Sequence, residues 1–213
     1  VLGFQMAPWL EMNQVFEKKY LKLQNGSDVR GVALEGIEGE SVNLTPETAK
    51  YIAAAFAQYL TEKCKKEQSA LTISVGHDSR LSADMLKTAV LEGIKKQGCT
   101  PIDCGLSSTP SMFMSTVLPQ LDYDGAIMIT ASHLPFNRNG LKFFSKEGGL
   151  ESKEIKIILN KAIALEENGM TACEEKEIQK LDLISHYSAN LRKIICEEVG
   201  ATEEEQPLKG MHF

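Results

Sequence analysis

Ser132 stands in the run Thr130-Ala131-Ser132-His133-Leu134-Pro135, with Asn139-Gly140 and then Lys142 following. A serine with an imidazole beside it and an ammonium nearby can carry a phosphoryl group, because dianionic oxygens need cations and donors around them. The same residues can also form a hydrolase nucleophile, or an ordinary loop. The hydrolase reading lacks its glycine-serine-glycine elbow, since Ser132 lies between Ala131 and His133. Successive side chains in extended backbone point apart, which leaves His133 badly placed to deprotonate Ser132. A phosphorylated serine needs no base on the adjacent residue.

The elements around the loop must hold it. Residues 124–130 are apolar and β-branched, so they read as a buried strand that ends just before Ser132. Pro135 fixes its own φ and biases Leu134 toward extended backbone, and Asn139-Gly140 reads as a turn ahead of the apolar run 141–144. A strand, a loop and a returning strand would bring Lys142, at the start of the second strand, back beside Ser132.

Elsewhere, 23–30 is a turn-rich lead-in, and Thr45-Pro46-Glu47 supplies an N-cap, a first-turn proline and an acid for a helix to about residue 63. Strands are expected at 71–75 and 100–104. Ser82 should cap a helix to about 97, Thr109-Pro110 should open one to about 118, and 152–166 has helical spacing. This alternation implies an α/β fold, a layered α/β/α domain with a mixed sheet. Polar residues 167–175 read as a linker, 178–199 as a helix ending at Gly200, 203–205 as a solvated acidic loop, and 207–213 as the lead into a strand. The expected organisation is an N-terminal extension (1–22), a first domain (23–167), a linker (168–177) and the beginning of a second α/β domain (178–213).

The serine loop, its Asn-Gly and its lysine, in that order and spacing, resemble the α-D-phosphohexomutase family, which includes phosphoglucomutase, phosphomannomutase and phosphoglucosamine mutase. The family's loop has the form Thr-(Ala/Gly/Ser)-Ser-His-Asn-Pro; this chain has Leu134 in place of the asparagine. Ser27-Asp28-Val29-Arg30-Gly31-Val32 is similar to the family's Asp-Ile-Arg-Gly segment, and 75–82 to its Gly-Arg-Asp-x-Arg-x-Ser segment, with His77 where an arginine is usual.

The resemblance implies a phosphoserine enzyme. Phosphorylated Ser132 would give its phosphoryl group to a hexose phosphate, form a hexose bisphosphate, and take the other phosphoryl group back. It places Arg30 near the phosphoserine, Lys142 as the proton-transferring group and His133 as an orienting group. It implies Mg²⁺ held by the Ser132 phosphate and by an Asp-x-Asp-x-Asp segment of a second domain, which these residues do not contain. The partners would be the sugar phosphates and the C-terminal domains of the same protein, without which no turnover is expected. Asp78 and Arg80 read as a pair bracing their own turn. A non-catalytic regulatory or scaffold relative, and a generic phosphate-binding α/β module, stay open beside the enzyme.

Composition narrows the classes further. At 213 residues and 43% hydrophobic content the chain can bury a sizeable core. A formal net charge of -6 argues against a nucleic-acid surface, so a phosphosugar site must be a local cationic pocket. The basic run 63–66 reads as a favourable interaction with a helix C-terminus rather than a binding patch. Five cysteines, odd in number and without Cys-x-x-Cys spacing, read as reduced thiols and suggest a reducing compartment, cytosol or plastid stroma. The four histidines show no zinc-ligand spacing with them, and no apolar run has transmembrane length, so no membrane partner is expected.

Overall fold

The computed structural model describes residues 8–171, 173–202 and 206–212. Its strands are β1 (Gln24–Asn25), β2 (Asp28–Val32), β3 (Thr72–His77), β4 (Thr100–Leu106), β5 (Gly125–Ile129), β6 (Arg138–Ser145), β7 (Gly148–Gly149) and β8 (Gln179–Lys180). Its helices are α1 (Pro8–Leu21), α2 (Pro46–Cys64), α3 (Ala83–Lys96), α4 (Thr109–Val117), α5 (Ser152–Asn168) and α6 (Leu183–Glu198). One sheet runs in the order β1-β2-β6-β5-β3-β4-β8, with β7 folded back on β6. Strands β5, β3, β4 and β8 are parallel, whereas β6 is antiparallel to both of its neighbours, β5 and β2. The mixed sheet is therefore as expected.

Both faces of the sheet are covered. On one, Val29, Ile73, Val75, Ile127, Ile129, Leu141 and Phe143 pack against apolar residues of α2, α3 and α5. Phe56 of α2 and Phe143 of β6 meet with ring centroids 5.0 Å apart and planes tilted by 52°. That is a favourable offset geometry for aromatic quadrupoles. Each such buried side chain contributes roughly 1.5–3 kcal/mol by leaving water. On the other face, Ile102, Cys104, Ala126 and Met128 meet Met112 of α4 and Leu183 of α6. All five residues of β5 are buried, which is why this strand reads as a continuous apolar run.

Helix starts follow local chemistry. Thr45 caps α2, its side chain accepting from Thr48 N, with Pro46 in the first turn. Helix α4 is capped by Ser108 rather than Thr109; Ser108 and Ser111 form a reciprocal capping box, and Thr109 is already helical. Ser82 precedes α3 but its hydroxyl accepts no backbone N–H of the helix. It accepts instead from the Asn139 side-chain amide, at 2.8 Å.

Four further expectations change. Residues 23–30 are not merely a turn: Asp28–Val32 is a strand registered on β6, with Asp28 opposite Lys142 and Arg30 opposite Gly140. Asn139-Gly140 is not a turn either but part of β6, and the reversal comes earlier, where Arg138 N donates to Pro135 O at 3.0 Å. Within 178–199 the first residues extend as β8 along β4, and the helix begins only after Asp182, whose carboxylate caps it by accepting from Ser185 N. Residues 207–210 are turns, and no strand follows among the described residues; the acidic run 203–205 and Phe213 lie outside them.

Candidate active site

The C-terminal end of β5 carries the loop. Ser132 adopts the left-handed conformation, φ 57°, a costly backbone state for a residue with a Cβ, on the order of 1–2 kcal/mol. Both peptide groups flanking its Cα are pinned. Its N–H donates to Thr130 Oγ1 at 2.9 Å, and its carbonyl accepts from Arg80 Nη2 at 2.8 Å. Thr130 Oγ1 in turn donates to Asp78 Oδ2 at 2.7 Å.

This conformation overturns one sequence expectation. Because the backbone at Ser132 is left-handed and not extended, the two neighbouring side chains converge, and Ser132 Oγ lies 3.3 Å from His133 Nδ1. Both residues are exposed, so the hydroxyl is open to solvent. Leu134 N closes a tight turn onto Ala131 O at 3.1 Å, using backbone alone where the family's motif has an amide side chain.

Arg80 does more than brace its own turn. Its Nη1 donates to the carbonyls of Pro135 and Arg138 at 2.9 and 3.0 Å, and its Nη2 to those of Ser132 and Leu134, both at 2.8 Å. The expected pairing with Asp78 is present as an ion pair, Nε lying 3.3 Å from Oδ2 without making a hydrogen bond. A second tie fixes the far end of the loop. Glu40 accepts from Arg138 Nε and Nη2 at 3.0 and 2.6 Å and from Asn137 Nδ2 at 2.8 Å. Hydrogen bonding to Arg138, then to Asn137, holds the Glu40 carboxyl below its ordinary range.

Arg30 and Lys142 come together, but through a residue that sequence reasoning passed over. Asp28 Oδ2 accepts from Lys142 Nζ at 2.6 Å and from Arg30 Nη2 at 2.9 Å. The three side chains share one sheet face because Asp28 and Arg30 are two apart in β2 and Lys142 is registered opposite Asp28. The clue to Asp28 was this period of two, visible only once 28–32 is taken as a strand. Lys142 sits within β6 opposite Met128, not at the strand's start, and neither it nor Arg30 hydrogen-bonds Ser132.

Gly140 connects the cation pair to the base of the loop. Its carbonyl accepts from Thr130 N at 3.0 Å. A Cβ there would lie 2.4 Å from Val29 O, 3.0 Å from Thr130 O and 3.1 Å from Arg30 Cγ, so the Arg30 stem crosses the strand only over a glycine. Arg30 Nε is buried and has no hydrogen-bond partner among the described residues. His77, standing where the family has an arginine, turns Nδ1 to the Asp78 carbonyl at 2.7 Å.

Among the described residues no group of three or more His, Cys, Asp or Glu is placed to hold a metal ion. An octahedral magnesium ion needs several oxygen ligands, and Asp78 is already engaged by Thr130 and Arg80. These residues alone do not fit the ion that the resemblance implies. No helix among the described residues is long and apolar enough to cross a membrane.

Comparison with known proteins agrees with this architecture. The family model for phosphoglucomutase/phosphomannomutase, alpha/beta/alpha domain I, matches residues 21–169. A phosphoglucomutase/phosphomannomutase of Thermococcus kodakarensis is 32% identical over 187 residues, covering 87% of this chain and 38% of the relative. A phosphoglucosamine mutase of Ruminiclostridium cellulolyticum is 38% identical over 141 residues, 63% of this chain and 29% of the relative. The crystal structure of a phosphoglucomutase/phosphomannomutase family protein from Burkholderia thailandensis shares the fold, with a TM-score of 0.65 at 20% identity over 80% of this chain and 35% of that one. The chain thus spans well under half the length of these relatives. With a family model across most of its length and a mixed α/β/α sheet around the serine loop, the chain belongs to the phosphoglucomutase/phosphomannomutase family and carries its first domain.

Proposed function

We propose that this chain is the phosphoserine-bearing part of a phosphohexomutase. The observation that carries the proposal is Ser132 itself: an exposed hydroxyl at a strand end, held in a left-handed backbone state and set against His133. Phosphorylated Ser132 would donate its phosphoryl group to a hydroxyl of a hexose phosphate. The serine Oγ–P bond breaks, a sugar O–P bond forms, and the proton of the sugar hydroxyl passes through the proton-transferring group to end on Ser132 Oγ. The resulting bisphosphate turns over and returns its other phosphoryl group to Ser132, leaving the isomeric monophosphate.

The chain's own residues suit parts of this cycle. Arg30 and Lys142, with side chains 18% and 24% exposed, bring two cations to one shared face, where phosphoryl oxygens can accept from their exposed N–H groups. Lys142 is our proton-transferring group. It acts as a donor while it faces Asp28, and must part from that carboxylate and lose a proton before it can accept one. His133 orients the serine oxygen. The ion that the family pairs with the phosphoserine would neutralise phosphoryl charge when bound, but its remaining ligands lie outside these residues, and so do the further domains we expect. Residues 178–213 would then begin the second domain, joined to the first through β8 on β4 and Leu183 on the sheet.

The alternative is a non-catalytic regulatory or scaffold member of the family. It is favoured by the engagement of both Lys142 and Arg30 with Asp28, together with Leu134 and His77 at positions where the family differs. Incubating the full-length protein with a hexose bisphosphate and mapping phosphate by mass spectrometry separates the two. The mutase reading expects phosphate on Ser132 and none in a Ser132→Ala control. An unmodified Ser132 favours the regulatory reading. The 213 residues alone should not interconvert hexose phosphates, and measurable turnover that disappears in Ser132→Ala would overturn that expectation.

A further inference from the structure

A left-handed serine on an exposed loop needs an outside constraint. The segment 132–138 offers little of its own: Ser132, His133, Pro135 and Phe136 are exposed, so apolar burial does not fix its shape. Its backbone hydrogen bonds at this end are two tight turns, Leu134 N to Ala131 O and Arg138 N to Pro135 O. At the far end Asn137 and Arg138 are tied to Glu40 and to the backbone N–H groups of Ala33 and Leu34; what holds the Ser132 end is one guanidinium, only 12% exposed, that gathers four carbonyls from residues 132 to 138.

That geometry uses a property only arginine has. Its planar fork carries five N–H donors in fixed directions, whereas a lysine offers three from one point. The fork is itself held. Arg80 follows β3, its own N–H donates to Asp78 Oδ1 at 3.1 Å, and its Nε faces Asp78 Oδ2. Asp78 Oδ2 also accepts from Thr130 Oγ1, which binds Ser132 N. The peptide groups before and after the Ser132 Cα are therefore fixed by two arms that meet on one carboxylate. Fixing both planes fixes φ and ψ, and with them the direction of Oγ and its approach to His133.

We propose that Arg80, seated on Asp78, is a positioning residue for phosphoryl transfer: it sets the left-handed state of Ser132 and the aim of its oxygen without touching the sugar. The proposal rests on the phosphohexomutase reading above and adds to it a residue that the resemblance left as a turn brace. Misplacement of a reacting atom by about 1 Å is enough to lower a rate about 100-fold. The loss should fall on kcat, with KM little changed.

The test compares Arg80→Lys with the parent protein. Lysine keeps the charge and can still reach Asp78, but cannot span four carbonyls. In the full-length protein, kcat for hexose phosphate interconversion should fall by about 100-fold with KM within about twofold. In the 213-residue chain, hydrogen exchange at the Leu134 and Arg138 amides should speed up at least about tenfold, while the β5 and β6 amides at Ile127 and Phe143 keep their protection and certify the fold. Unchanged kcat, or loop amides as protected as in the parent, overturns the positioning role. A parent protein that never takes phosphate on Ser132 overturns the enzyme reading, and the positioning role with it. An active parent with an equally active Arg80→Lys variant overturns the positioning role alone.

Discussion

Asp28 and Lys142 face each other across the β2–β6 pair, Oδ2 to Nζ at 2.6 Å, and the same carboxylate oxygen also receives Arg30 Nη2 at 2.9 Å. One anion thus allows two cations to share a partly buried sheet face. Removing it leaves Arg30 and Lys142 adjacent and uncompensated. Asp28→Asn should lower the unfolding free energy by about 1.5–3 kcal/mol, the usual worth of a hydrogen bond to a charged group. Added salt should narrow the gap by screening the repulsion. Urea denaturation at low and high ionic strength measures both effects, and identical midpoints for variant and parent would refute the bridge.

Gly140 gives a steric prediction at the same place. An alanine Cβ there would lie 2.4 Å from Val29 O, and backbone oxygens cannot swing aside as a flexible side chain can. Gly140→Ala should cost at least about 1–3 kcal/mol, the range for overpacked sites. Gly149, in the same sheet, is the control. Its added Cβ would meet only Phe144 at 3.8 Å, an ordinary contact, so Gly149→Ala should stay within about 0.5 kcal/mol of the parent. Equal effects of the two substitutions would contradict the close approach of the Val29 carbonyl to Gly140.

Much of the fold was legible because β5, α2 and the helix at 152–168 announce themselves by apolar runs, caps and spacing. Ser132, His133 and Lys142 stand out in the sequence by type and spacing, whereas Arg30 stands out only through the resemblance of its segment to the family's. What was not legible depended on partners distant in sequence. Asp28 looks like a turn residue until β6 is placed beside it, and Asn139-Gly140 looks like a turn until β2 is. Arg80 contacts carbonyls more than 50 residues away, and backbone acceptors leave no mark in a sequence. The Ser132–His133 contact was misjudged because a positive φ at a serine is imposed by those same distant groups.

Stability should fall toward acid through Glu40. Arg138, then Asn137, hold its carboxyl below the ordinary value, so the folded chain keeps it charged where the unfolded chain already binds a proton. The stabilisation is complete above the unfolded carboxylate value, near ~4.3, and is lost as pH falls through the lower folded value. Glu40→Gln should remove this part of the acid decline. Urea midpoints measured from about pH 6 down to about pH 3 give the comparison. An acid decline as steep in the variant as in the parent would show that Glu40 does not contribute to it.

The alkaline limb has the opposite origin. Burial, reinforced by Cys173 and Asp124 for Cys99 and by Asp103 for Cys104, pushes both thiols up to about 12. Tyr59 is pushed up to about 12 as well, by burial and then by its hydrogen bond to Glu154. In the unfolded chain these groups ionise near ~8.5 for cysteine and ~10 for tyrosine, so that state loses protons first. Their neutral forms stabilise the fold fully below those values, and the stabilisation disappears as pH rises toward the folded ones. Chemical labelling reads the same burial directly. Cys173 is exposed, its thiol resting on Lys96 O at 2.8 Å, whereas Cys99 and Cys104 are buried. Iodoacetamide near neutral pH should therefore modify Cys173 first and reach Cys99 and Cys104 only when the domain unfolds, because the thiolate is the reactive form and burial suppresses it. Mass spectrometry of partly labelled chain resolves the order. Alkylation of Cys99 or Cys104 in the folded chain as fast as that of Cys173 would mean that the β3–β4 region opens far more readily than its packing allows.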